Sequence, residues 1–179
     1  MGAGRTSALY IGAMAVRAVS LPAKALTNPY RLSGAYCDCY CSDVGRRVSH
    51  AEYVEAFYTT ALFKLERMLL RLLASRPSTD AEARALARGA RDGFAAWTVE
   101  ARAPDQVLLC DFTGRTRSWL MVSPSGEPAG TRLYFGSVVV PERDARTGER
   151  GMPAIHSRLL GFHRLYSRAL LGAAARRLR

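Results

Sequence analysis

From residue 35 to residue 41 the chain alternates, with Cys37, Cys39 and Cys41 on one side and Tyr36, Asp38 and Tyr40 on the other. A period of two predicts a strand, and the tyrosines favour it. The pattern then moves to steps of three and four through Val54, Phe57, Ala61, Leu65, Leu69 and Leu72, which predicts one amphipathic helix over residues 50–74. Ser49 with Glu52 three residues on makes a capping box at its start. Within this helix Glu66 reads as a surface residue offset by Arg67 or Arg71. Arg76-Pro77 stops it, and Thr79 with Glu82 opens a shorter helix to about residue 90. After Gly93 the period returns to two. Strands are predicted over 94–103, 107–113, 116–123 and 131–140, joined by turns at Pro104, Gly114 and the Pro- and Gly-rich stretch 124–130. Beyond Pro153, a helical period through Leu159, Phe162, His163, Tyr166 and Leu170 runs to the C-terminus. Four strands with short connections form an antiparallel meander, and the whole order predicts one α+β domain.

The stretches FAAWTVEARAPDQVLLCDFTGRTRSWLMVSP, GTRLYFGSVVVP and HSRLLGFHRLYSRALLGAAARRL resemble an uncharacterised bacterial family, itself distantly similar to the START-like, polyketide-cyclase-like (SRPBCC) superfamily. The resemblance covers about residues 34–178. It implies a helix-grip fold, an antiparallel sheet wrapped around a long C-terminal helix, with a cavity for a hydrophobic or amphipathic ligand between them. The residues define five strands, so a reduced sheet is expected. The superfamily has no universal catalytic motif, and none is carried over.

The first 34 residues differ from the rest: they hold Arg5, Arg17, Lys24 and Arg31 and no acid. Their apolar run, residues 7–16, is ten residues long, against about 20 for a membrane span. No membrane span is therefore expected; the segment is read as a basic tail or peripheral helix, ahead of a domain over 35–179. A signal peptide with Arg5 as its charged region is the competing reading. The chain carries 26 Lys and Arg against 15 Asp and Glu, a net charge of +11, and all its basic residues but Lys24 and Lys64 are arginine. That balance suits nucleic acid, anionic lipid or acidic partners. The basic residues are dispersed, however, and surround no recognition helix, zinc-finger or RNP pattern, which argues against nucleic acid. Four cysteines spaced this way make no disulfide framework, so a reducing, cytoplasmic setting is expected.

Candidate chemistry lies in three places. His156 and His163 are seven apart on the last helix, with Tyr166 on the same face; they could orient a ligand or move a proton. Arg117 and Trp119 share one face of a strand, and Arg117 could pair with Asp111 across the hairpin or hold an anionic ligand. Asp38, between Tyr36 and Tyr40, could serve as a base or anchor a hydroxyl. The Cys37–Cys41 run has the wrong spacing for zinc, since alternate strand positions hold sulfurs too far apart. No metal or cofactor is expected. No nucleophile elbow, dinucleotide or phosphate-loop motif occurs.

The leading expectation is binding of a small hydrophobic or amphipathic molecule, anionic if the arginines face it, in a cavity under the last helix. A cyclase or isomerase using the same cavity is the enzymatic alternative. A structural or nucleic-acid-associated module using the arginine surfaces is the third. The apolar helix faces would also suit a homodimer.

Overall fold

The computed structural model describes residues 15–75, 77–126, 129–143, 150–151 and 154–179; for 70, 73–74, 142–143, 150–151 and 154–160 it describes the backbone only. The chain forms β1 (Arg17–Ala18), α1 (Asn28–Leu32), β2 (Tyr36–Val44), α2 (His50–Tyr58), α3 (Ala61–Ala74) and α4 (Asp80–Ala87). Five strands follow: β3 (Gly93–Phe94), β4 (Trp97–Ala103), β5 (Gln106–Asp111), β6 (Thr116–Ser125) and β7 (Gly130–Val139). A short pair, β8 (Glu142–Arg143) and β9 (Arg150–Gly151), precedes the long C-terminal α5 (Ala154–Arg177). The main sheet is antiparallel, seven strands in the order β1-β2-β7-β6-β5-β4-β3, and wraps α5 in a helix-grip arrangement.

The reduced strand number expected from the pattern is corrected to seven. The two additional strands, β1 and β3, are two residues long, too short to leave a period in the sequence. The helix predicted over 50–74 is two helices, because Thr59 and Thr60 interrupt it. The Thr59 hydroxyl donates to the Glu55 carbonyl at 2.7 Å. The Thr60 hydroxyl donates to the Phe57 carbonyl at 3.0 Å and accepts the Phe63 amide at 3.1 Å, so it closes one helix and caps the next. The strand predicted over 94–103 breaks into β3 and β4 at a two-residue turn, where Ala95 sits at φ 53°. Alanine gives no turn signal, so the corner is invisible in the pattern. Both capping boxes form as read, at Ser49–Glu52 and Thr79–Glu82.

The concave face of the sheet carries the main core. Tyr40, Val44, Leu109, Leu120, Leu133 and Phe135 pack there against Tyr53, Val54, Phe57 and Tyr58 of α2 and Leu170, Leu171 and Ala174 of α5. The convex face holds a second cluster of Cys39, Leu108, Trp119 and Met121. The chain from Val19 to Tyr30 crosses this face and covers it, with Ala25 buried and Val19, Leu21, Leu26 and Tyr30 packed on the cluster. Gln106 fastens the cover: it accepts the Trp119 indole N–H and the Leu26 amide, each at 2.9 Å, and donates to the Lys24 carbonyl at 3.0 Å. Gly136 lies under Trp119; a Cβ there would meet the Asp38 carbonyl at 2.7 Å and the indole at 3.0 Å, so no larger residue fits without movement.

The four cysteines are free thiols. Burial pushes the Cys37 thiol up to about 11 and the Cys39 thiol up to about 12, which suits packing rather than ligation. Among the described residues no group of histidines, cysteines and acids is placed to hold a metal. No described helix is long and apolar enough to cross a membrane.

Candidate functional site

A cavity of about 230 Å³ lies between the concave face, the α2–α3 corner and α5. Its walls are mainly apolar: Phe57 and Phe63 from the helices, Trp97, Phe135 and Val139 from the sheet, Leu170 from α5. The break at Thr59–Thr60 sets the shape here. It turns α3 out of line with α2 and brings Phe63 and Glu66 to the cavity alongside Phe57.

Two polar pairs border this space. The first joins α3 to α5: the Tyr166 hydroxyl donates a short hydrogen bond to Glu66 Oε2. Burial raises the Glu66 carboxyl above the usual carboxylate range, and the Tyr166 bond opposes the shift without cancelling it. Burial, with the Glu66 carboxylate beside it, holds the Tyr166 phenol well above its ordinary value. Tyr166 is thus a permanent donor, while Glu66 is the group able to change charge.

The second pair joins β2 to α5. His163 Nε2 stands 3.5 Å from Asp38 Oδ2, too long for a good hydrogen bond. The other Asp38 oxygen accepts the Ser137 amide at 2.8 Å across the β2–β7 ladder. Asp38 Oδ2 and His163 Nε2 are both buried without a hydrogen-bond partner among the described residues. So are Trp97 Nε1, Ser137 Oγ and Ser167 Oγ, all from residues of the cavity wall. Buried polar atoms normally find partners, so five open ones near one cavity single it out as the candidate site.

The residues singled out in the sequence divide between the two faces. Asp38, His163 and Tyr166 come together at the cavity, Asp38 standing just behind His163. Arg117 and Trp119 lie on strand positions that face the convex side. The Arg117 guanidinium bonds the Tyr30 hydroxyl at 3.0 Å and Glu100 at 3.1 Å, and lies 4.7 Å above the Tyr30 ring. It borders the cavity through its strand, between Thr116 and Ser118. Asp111 is not its partner: that carboxylate caps the β5–β6 turn, accepting the Arg115 amide at 2.9 Å and the Thr116 amide at 3.1 Å. The His156 side chain lies outside the described residues.

Glu66 is not the surface residue expected from pairing with Arg67 or Arg71 on its own helix. Arg67 instead turns to Asp80 and Ser78, at 2.6 and 3.0 Å. The signal was present: Glu66 falls four residues after Leu62 and three after Phe63, on the stripe that faces the core. Comparison with known proteins finds no matching family, no matching curated protein and no matching solved structure.

Proposed function

We propose that the chain binds a small, largely apolar molecule in the cavity between the sheet and α5. The observation that carries this reading is an aromatic-walled space whose border holds Glu66, Tyr166 and the unpartnered polar atoms of Ser137, His163 and Ser167. Ligand sites have this character, apolar walls with few placed polar groups. The volume of about 230 Å³ falls just under the usual range of about 300–1,000 Å³. An apolar cavity of about 150 Å³ holds one benzene. A ligand of about one ring fits this space. Descent from the START-like superfamily belongs to the same proposal and is supported by the helix-grip arrangement.

The reading is tested by native mass spectrometry of the purified chain, together with a titration of benzyl alcohol followed by NMR. Shifts confined to the cavity wall, lost when Ser167→Leu fills the space, are the expected result. Shifts spread over the surface, or a Ser167→Leu chain that binds as well as the parent, would sink it.

The His163–Asp38 approach favours a second reading, proton transfer on the bound molecule. An imidazole beside a buried carboxylate is the usual equipment of a general base. In that reading His163 meets the substrate and Asp38 positions it.

A further inference from the structure

Among the described residues of the cavity wall Glu66 supplies a carboxyl and Arg117 a guanidinium, the latter held on the convex side by Tyr30 and Glu100. Glu66 enters from α3, and Asp38 lies behind His163 on β2. The neighbouring cations are engaged elsewhere. Lys64 and Arg67, flanking Glu66 on α3, both bind Asp80, at 2.6 Å each. Arg117 is paired with Glu100 on the far side of its strand, at 3.1 Å. Among the described residues no cation forms an ion pair with Glu66. Its Oε2 accepts from Tyr166, which supplies a hydrogen bond but no positive charge. A half-buried carboxyl with no counter-ion among the described residues is uncommon, because taking a charge out of water unpaired is costly.

The cavity that Glu66 lines is walled by aromatic rings from four elements: Phe57 of α2, Phe63 of α3, Trp97 of β4 and Phe135 of β7. Ring faces attract cations as well as apolar groups. A carboxylate with aromatic walls offers an organic ammonium both its counter-charge and its packing surface. An anion would meet Glu66 in repulsion, and a neutral ligand would leave its charge unbalanced. The same arrangement removes the grounds for an anionic ligand, since the arginine expected to hold one faces outward.

Resting on the cavity reading above, we infer that the ligand is an organic ammonium of about one ring, its nitrogen paired with Glu66 and its apolar part held among Phe57, Phe63 and Phe135.

The test compares three probes of one shape on the full chain: benzylamine, benzyl alcohol and benzoate. Binding is followed by NMR shift titration. Benzylamine is expected to bind about tenfold more tightly than benzyl alcohol, and benzoate more weakly than either. Glu66→Gln is expected to bring the benzylamine-to-benzyl alcohol ratio to about one. Should that variant fail to fold, intermolecular NOEs between the benzylamine methylene and the Glu66 side chain provide the same evidence in the native chain. Benzyl alcohol or benzoate binding as tightly as benzylamine overturns the ammonium assignment and leaves the cavity reading standing. A ratio unchanged in Glu66→Gln does the same. Failure of all three probes overturns both.

Discussion

The two faces of the sheet treat buried polar groups in opposite ways. On the convex face Gln106 satisfies the Trp119 indole, the Leu26 amide and the Lys24 carbonyl, and Arg117 is enclosed by Tyr30 and Glu100. On the concave face Asp38 Oδ2, Ser137 Oγ, His163 Nε2 and Ser167 Oγ lie buried with no partner among the described residues. Both faces bury an aromatic core, so burial alone does not separate them. Satisfaction does. A closed hydrogen-bond network fixes one structure, whereas an open one leaves bonding capacity for another molecule. The convex face holds the N-terminal segment, and the concave face keeps the open groups on which the proposed ligand site rests.

That contrast can be broken by stability measurements. The largest effect belongs to the convex side. Trp119→Ala removes a fully buried indole and the anchor of the Gln106 network, at an expected cost of about 3–5 kcal/mol in chemical denaturation. A cost under about 1 kcal/mol would mean that the covering segment is not fastened as described.

The next effect is on pH dependence. Glu66 in the folded chain holds its proton more tightly than in the unfolded chain, because burial raises it. The folded state therefore binds more protons, and stability falls as pH rises through the raised Glu66 value. Glu66→Gln removes that slope. Melting temperatures of both chains from about pH 4 to pH 8 should diverge, the variant gaining on the parent as pH rises. Parallel curves would show that the carboxyl is not penalised in its site.

The smallest effect is on the concave side. Ser167→Ala deletes a buried hydroxyl that has no partner, so its removal should leave stability within about 0.5 kcal/mol or raise it. A loss above about 1 kcal/mol would show the hydroxyl to be engaged, and the difference between the faces would disappear.

Local signals in the sequence were reliable where one residue type carries the mechanism. Ser49 with Glu52 and Thr79 with Glu82 form the capping boxes they spell. Alternation separated Asp38 from Cys39 and Arg117 from Ser118, but a period of two cannot say which side is concave. That choice depends on where α5 and the α2–α3 corner pack, which is a tertiary fact. The corner itself was hidden because threonine is a permitted helix residue until its hydroxyl finds a carbonyl. Glu66 was misassigned for a related reason. Pairing along one helix would join it to Arg67 or Arg71, but Arg67 binds Asp80, which lies on another helix 13 residues away.

The pairing of β2 with β7 joins Tyr36 to Val139 and Asp38 to Ser137. A strand completed early in synthesis thus has one neighbour that is not made until most of the chain has emerged. The meander from β4 to β7 can zip locally, each strand against the next, but β2 must wait for the loop between them to close. Such long-range pairing is slow, on the order of milliseconds to seconds in domains dominated by it. Meanwhile Tyr40, Val44 and the concave side of β2 lack their β7 neighbours, exposed to misassociation. The α2–α4 helices between the two strands are the natural interim cover, which makes their capping boxes a matter of timing as well as of stability.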